Sequence, residues 1–152
     1  TGALLYICDK KGYTSLDAVR LTNKESGVFG ISGVSSDFRE LTSAADAGNY
    51  RAELALDVFC YNVKKYIGAY AAVLNGVDLI IFTGGIGEND ERVRNSVCTG
   101  LEYLGVEFDE AVNLKARGVD RILSTPHSKT FVMTITTDEE LVIATDTLNL
   151  VK

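Results

Sequence analysis

The sequence predicts an α/β fold, and three observations carry that prediction. The apolar run Val77-Asp78-Leu79-Ile80-Ile81-Phe82 is typical of a strand buried on both faces. Ahead of it, residues 49–74 repeat apolar side chains at three- and four-residue intervals, the period of a helix. Behind it come two strand candidates, 121–124 and 130–135, and a terminal helical pattern. The predicted order is helices, strand–loop–helix, two strands and a last helix.

Taken along the chain, residues 3–13 and 15–26 read as two short helices. The second opens on Ser15 as N-cap, turns Leu16, Val19 and Leu21 inward and stops at Gly27. Residues 27–36, GVFGISGVSS, carry the composition of a loop, and Asp37-Phe38-Arg39 follows at once. The long helix over 49–74 presents Leu56, Phe59, Val63, Ile67, Tyr70 and Leu74 on one side. At 1.5 Å per residue it would span about 39 Å, and Asn75-Gly76 ends it. After the strand at 77–82 and a glycine loop, residues 90–104 and 110–117 read as helices, with a short strand beginning at Glu107-Phe108. Thr137-Asp138-Glu139-Glu140 reads as a capping box that opens the last helix, ELVIATDTLNL.

Composition narrows the function classes. With 152 residues, 46% of them apolar, the chain suits one domain, residues 1–152, with a real core. A formal charge of −6 speaks against non-specific nucleic-acid binding, which needs a basic face, yet leaves room for an anionic nucleotide that arrives with Mg²⁺. Cys8, Cys60 and Cys98 are odd in number and form no CxxC, so a reducing cytoplasmic setting is expected, without a disulfide framework or zinc site. Asn75, Asp78 and the glycines break the longest apolar stretches, so no membrane span is expected. The N-terminus TGALLYICDKKGY has no basic n-region and does not read as a signal peptide. It reads as starting inside a longer chain.

The stretch that asks for an explanation is LIIFTGGIGENDERVR, residues 79–94, with three glycines in four positions between a strand and a helix. A strand that ends in Gly-Gly-x-Gly and turns into a helix is a ligand-binding geometry of open α/β sheets. Glycine admits positive φ and lets a ligand approach the backbone, and the free N–H groups of the following helix favour an anion or an acceptor-rich base. A plain tight turn stays open as the alternative. Two common motifs are excluded: GxxxxGK[ST] is absent, and GxGxxG would need glycine at position 90, where Asp90 stands.

FTGGIGEN, followed by Val93 and Arg94, resembles the acetate kinase family, within the actin/hexokinase/Hsp70-like ATPases. LTNKESGVFGISGVSSDFRE, CYNVKKYIGAYAAVLNGVDLIIFTGGIGEN and TTDEELVIATDT are similar to further segments of that family, in its order. The resemblance implies part of an actin-like (ribonuclease H-like) ATPase domain with a mixed sheet flanked by helices. It makes the chain the C-terminal nucleotide-binding portion of a longer two-domain kinase. It implies reversible phosphoryl transfer from ATP to acetate, giving acetyl phosphate and ADP. The phosphate-clamping arginines, the catalytic aspartate and histidine, and the acetate pocket would then lie in the other half.

By the same resemblance Asp37 is a candidate acceptor for ribose or base, with Phe38 as a flat apolar neighbour and Arg39 beside it. Gly85, Ile86, Gly87, Glu88 and Asn89 would form the loop against adenine and ribose. Glu139 would be the carboxylate that helps hold Mg²⁺, and Asp138 stands where the family pattern leads one to expect asparagine. The residues by themselves also allow plainer roles: Asp37 as an N-cap, Arg39 and Arg94 as surface charges, Glu139 as a first-turn carboxylate favoured by the helix dipole. His127 has no assigned role and Cys60 reads as core packing. The resemblance further implies a homodimer through the C-terminal half. Alternatives are propionate as substrate, a non-catalytic nucleotide-binding domain, or an oligomerisation domain.

Overall fold

The computed structural model describes residues 2–151, and their backbone gathers into two units, one up to Asn62 and one from Val63 onward. The first unit is helical: α1 (Gly2–Lys11), α2 (Ser15–Lys24), α3 (Gly27–Ser32), α4 (Phe38–Asp46) and the first half of α5 (Tyr50–Val73). Its core is Leu41, Ala52 and Leu56, with Val28, Phe38, Ala44 and Ala45 packed on them. The Arg51 guanidinium donates to the Ile31 carbonyl at 2.9 and 2.6 Å, fastening the start of α5 to the end of α3.

Three expectations change in this unit. The N-cap of α2 is Thr14, whose hydroxyl accepts from Asp17 N while the Asp17 carboxylate accepts from Thr14 N. Thr14 wins over Ser15 because it has a carboxylate three residues on, which completes a reciprocal box. Leu16 and Val19 are 79% and 55% exposed and only Leu21 is partly buried. An amphipathic pattern says that a face is apolar; it does not say what covers it. Residues 27–36 are also not all loop, since α3 occupies Gly27–Ser32 and ends where Gly33 takes φ +67° and donates to Phe29 O. A left-handed glycine cap rescues a short helix that its composition disfavours.

The second unit holds the rest of α5, then β1 (Leu79–Phe82), α6 (Gly84–Asn89), α7 (Glu91–Cys98), a 3₁₀ turn (Glu102–Leu104), α8 (Glu110–Asn113), β2 (Arg121–Ile122), β3 (Phe131–Thr134) and α9 (Glu139–Val151). The sheet is mixed, in the order β1-β3-β2. β1 and β3 run parallel, from Leu79 opposite Phe131 to Phe82 opposite Thr134, and β2 is antiparallel to β3. Buried Thr130 donates from Oγ1 to Val77 O and Leu104 O, both at 2.7 Å, and so pins the loops at the start of the sheet.

Of the side predicted for α5, Leu56 is buried and Phe59, Val63 and Ile67 are half-buried, whereas Tyr70 and Leu74 are exposed; Ala52, Ala55, Cys60 and Ala71 supply the rest of the buried residues. β1 is buried on one face only: Ile80 and Phe82 are covered, Leu79 and Ile81 are not. A continuous apolar run marks both faces as apolar without supplying both covers. The helix predicted to reach residue 104 ends at Cys98, because Gly100 takes φ +85°. The expected strand at Glu107-Phe108 is a single bridge from Phe108 to Ser124, and α8 ends at Asn113. No described residue of α9 is buried. Among the described residues no helix is long and apolar enough to cross a membrane.

Candidate functional site

The segment after β1 is a short helix, α6, rather than an open loop, and its three glycines have different causes. Gly84 takes φ +70°, where a side chain is strained. Gly87 is buried, and a Cβ there would stand 3.1 Å from the Phe82 carbonyl carbon, so the backbone of β1 itself excludes a side chain. Gly85 has neither constraint: its φ is not positive and a Cβ would meet nothing within 4 Å. A glycine inside a helix costs about 1 kcal/mol relative to alanine, so the fold alone gives no reason for Gly85. Its open side, with Ile86 and Asn89 half-buried beside it, leaves room for a ligand to lie directly on the backbone.

The N–H groups near this turn are already partly occupied. Asp90 caps α7 by accepting from Val93 N, and Glu88 accepts from Gly84 N at 2.9 Å. Two carboxylates at the turn disfavour a phosphate here and suit an uncharged, acceptor-rich group. Glu88, only 9% exposed, also accepts from Thr137 N and Thr137 Oγ1, each at 2.9 Å. These bonds from Thr137, and then the one from Gly84, hold its carboxyl below the usual range. Asn89 Nδ2 donates to Gly85 O at 3.0 Å and braces the open face from within.

Arg94 overturns the reading as a surface charge: it is fully buried. Its guanidinium donates to Gly87 O (2.9 Å), Asn113 Oδ1 (2.7 Å), Asn113 O (3.2 Å) and Ala116 O (2.6 Å). Asn113 Nδ2 in turn reaches Glu91 O at 2.9 Å. The planar fork of arginine suits such a web of carbonyls, and it bolts the glycine segment to the end of α8 from behind. Burial pulls its pKa below the ordinary value, partly offset by Glu91 and Asp90. The sequence signals none of this, since the same residue on a helix is usually solvated.

The start of α9 also departs from the expected capping box. Asp138 Oδ1, not Thr137, accepts from Leu141 N at 2.9 Å, because the Thr137 hydroxyl is turned to Glu88. Glu139 is exposed in the first turn. No group of three or more His, Cys, Asp or Glu able to hold a metal exists among the described residues. One free-standing carboxylate fits an ion that brings its other ligands with it, as Mg²⁺ does on nucleotide phosphates, and not a resident metal. The structure thus brings the glycine segment and the start of α9 together through Glu88 and Thr137.

Asp37, Phe38 and Arg39 belong to the first unit. Asp37 caps α4, with Oδ1 accepting from Arg39 N at 2.8 Å, and pairs through Oδ2 with Arg39 Nη2 at 2.6 Å. Phe38 sets its ring edge-on to Phe59, 4.7 Å between centroids. The Arg39 side chain, followed by its backbone N–H, pulls Asp37 from 3.8 down to about 2. A depressed carboxyl stabilises the fold above its unfolded value and loses that contribution as pH falls through its folded one. The cap on α4 is therefore expected to persist from neutral pH to below 4 and to fail toward about 2, followed as the Asp37 carboxyl carbon shift in an NMR titration. Cys60 and Cys98 are buried, and burial pushes the Cys98 thiol up to about 12, which removes it as a nucleophile.

Comparison with known proteins accounts for this arrangement. The model of the Acetokinase family matches residues 1–145. The acetate kinase of Bacteroides thetaiotaomicron is 53% identical over 99% of this chain, which spans 38% of that relative. The crystal structure of Porphyromonas gingivalis acetate kinase superposes with a TM-score of 0.91 at 46% identity, over 99% of this chain and 38% of that one. A propionate kinase from Francisella tularensis superposes with a TM-score of 0.82 at 34% identity, over 94% of this chain and 36% of that one. The mixed sheet flanked by helices is that of an actin-like ATPase fold, and the chain belongs to the acetokinase family.

Proposed function

We propose that the chain is the adenosine-side portion of an ATP:acetate phosphotransferase, making acetyl phosphate and ADP reversibly. The observation that supports it most is 53% identity to an acetate kinase along essentially the whole chain. The open face of Gly85, with Ile86, Gly87, Glu88 and Asn89 forming its segment, receives adenine and ribose. Asp37, Phe38 and Arg39 supply the second set of nucleotide contacts. Asp37 and Arg39 are exposed enough to exchange their mutual pair for a ligand, while half-buried Phe38 serves as the flat apolar neighbour. Glu139 holds Mg²⁺ through water, and the metal supplies neutralisation of charge on the nucleotide phosphates. The kinase works in the cytoplasm as a homodimer, for which the exposed rings of Tyr61, Tyr66 and Tyr70 on α5 are a suitable surface.

Phosphoryl transfer also needs positive groups around the migrating phosphoryl and a placed acceptor carboxylate, which this segment does not supply. The chain alone is therefore expected to form no acetyl phosphate, measured as the hydroxamate after trapping with hydroxylamine. Acetyl phosphate made by the 152 residues alone would overturn the division of labour. A hybrid in which this chain replaces the matching stretch of the Bacteroides thetaiotaomicron enzyme is expected to be active, and a soluble but inactive hybrid counts against the assignment. The 34% identical propionate kinase favours a second reading, with propionate as acceptor. The hybrid does not decide that choice; the complete native chain assayed with both acids does.

A further inference from the structure

The entry into α9 is held by two carboxylates acting on consecutive threonines. Thr136 donates from N and Oγ1 to Asp120 Oδ1 at 2.8 and 2.9 Å. Thr137 does the same to Glu88 Oε1, both at 2.9 Å, and that oxygen also accepts from Gly84 N. No described side chain of α9 is buried, so apolar packing within this chain does not orient the helix. Its direction is set where it starts. Glu88 sits four residues after Gly84, and what it grips is Thr137, two residues ahead of Glu139. Its main chain is held as well, through Gly118 N on Glu88 O at 3.2 Å.

We propose that Glu88 is a positioning residue that ties the glycine segment to the first turn of α9, so that the nucleotide surface at Gly85 and the carboxylate of Glu139 keep one spacing. This rests on the nucleotide and metal assignments proposed above. It differs from a direct adenosine contact, because Glu88 is buried and its Oε1 is engaged by three donors inside the protein. Three donors converging on one acceptor also explain why a carboxylate stands there. An ionised oxygen forms hydrogen bonds roughly twice as strong as a neutral one, and a glutamine oxygen in the same place would keep the geometry while losing that increment.

The test uses the hybrid enzyme and two independent readouts. Without ligand, Glu88→Ala is expected to speed amide exchange of residues 136–141 at least tenfold and leave β1 and α7 unchanged. Exchange that stays at the parent rate overturns the proposal whether or not the hybrid is a kinase. In the active hybrid, Glu88→Ala is expected to raise KM for ATP and the half-saturating Mg²⁺ concentration together, each about tenfold, with KM for acetate within twofold. Glu88→Gln should restore most of both. A fall in kcat alone, or equal rises for ATP and acetate, overturns it. Should Glu88→Ala not fold, Thr137→Val, which removes only the hydroxyl donor, is expected to move both constants about threefold, and no movement sinks the idea. An inactive parent enzyme defeats the proposed function and leaves the exchange result to decide this one.

Discussion

Gly85→Val in the hybrid enzyme is expected to raise KM for ATP tenfold or more, about 1.4 kcal/mol or above, with KM for acetate nearly unchanged. The backbone at Gly85 leaves room for a Cβ. The φ of Gly85 is not positive, a Cβ meets nothing within 4 Å, and valine is no worse than glycine inside a helix. Unfolding should therefore shift by less than about 0.5 kcal/mol, the usual range for a surface change. A large effect on nucleotide with none on stability is the signature of a ligand resting on that backbone. Gly87→Ala is the matching control. Its Cβ would stand 3.1 Å from Phe82 C, so it should lose stability by about 1–3 kcal/mol from overpacking. If Gly85→Val leaves ATP saturation where it was, the glycine segment is a turn and no more. Asp37→Ala should act in the same direction on ATP, accompanied by loss of the α4 cap.

Arg94→Ala is expected to be the most destabilising single change in the segment. It strands buried oxygens of Gly87, Asn113 and Ala116 that now share one guanidinium. A buried group left unpaired costs about 1–3 kcal/mol, so a total on the order of 4 kcal/mol follows after partial relaxation. In a protein of this size or larger, that lowers Tm by roughly 10 °C in a thermal unfolding scan. Arg94→Lys should recover less than half of the loss, since one ammonium cannot reach all four acceptors in a plane. A Tm within about 2 °C of the parent for Arg94→Ala would mean that the carbonyl web is not what holds α6.

How far the sequence could be read differs from residue to residue. The long helix, the strand at 79–82 and the last helix were legible because each has a period or a cap of its own. The glycine segment was legible as a candidate site by its density, but not as a helix, and its three glycines could not be told apart. Separating them needs to know that Phe82 backs Gly87 while nothing faces Gly85. Arg94 could not be found at all, because burial of an arginine is decided by carbonyls nineteen to twenty-two residues away. The capping box at Thr137 failed for the same kind of reason: a distant carboxylate competes for its hydroxyl and wins.

Local pattern and motif therefore determined the class of fold, the family and the candidate segments for function. These depend on residue order over short windows, where propensity, periodicity and turn chemistry act. Only the tertiary structure decided which glycine is free for a ligand, which charge is buried and which carboxylate ties α6 to α9. Those outcomes depend on desolvation and on hydrogen bonds between residues far apart in sequence, and a buried donor or acceptor accepts whichever partner the fold brings within reach.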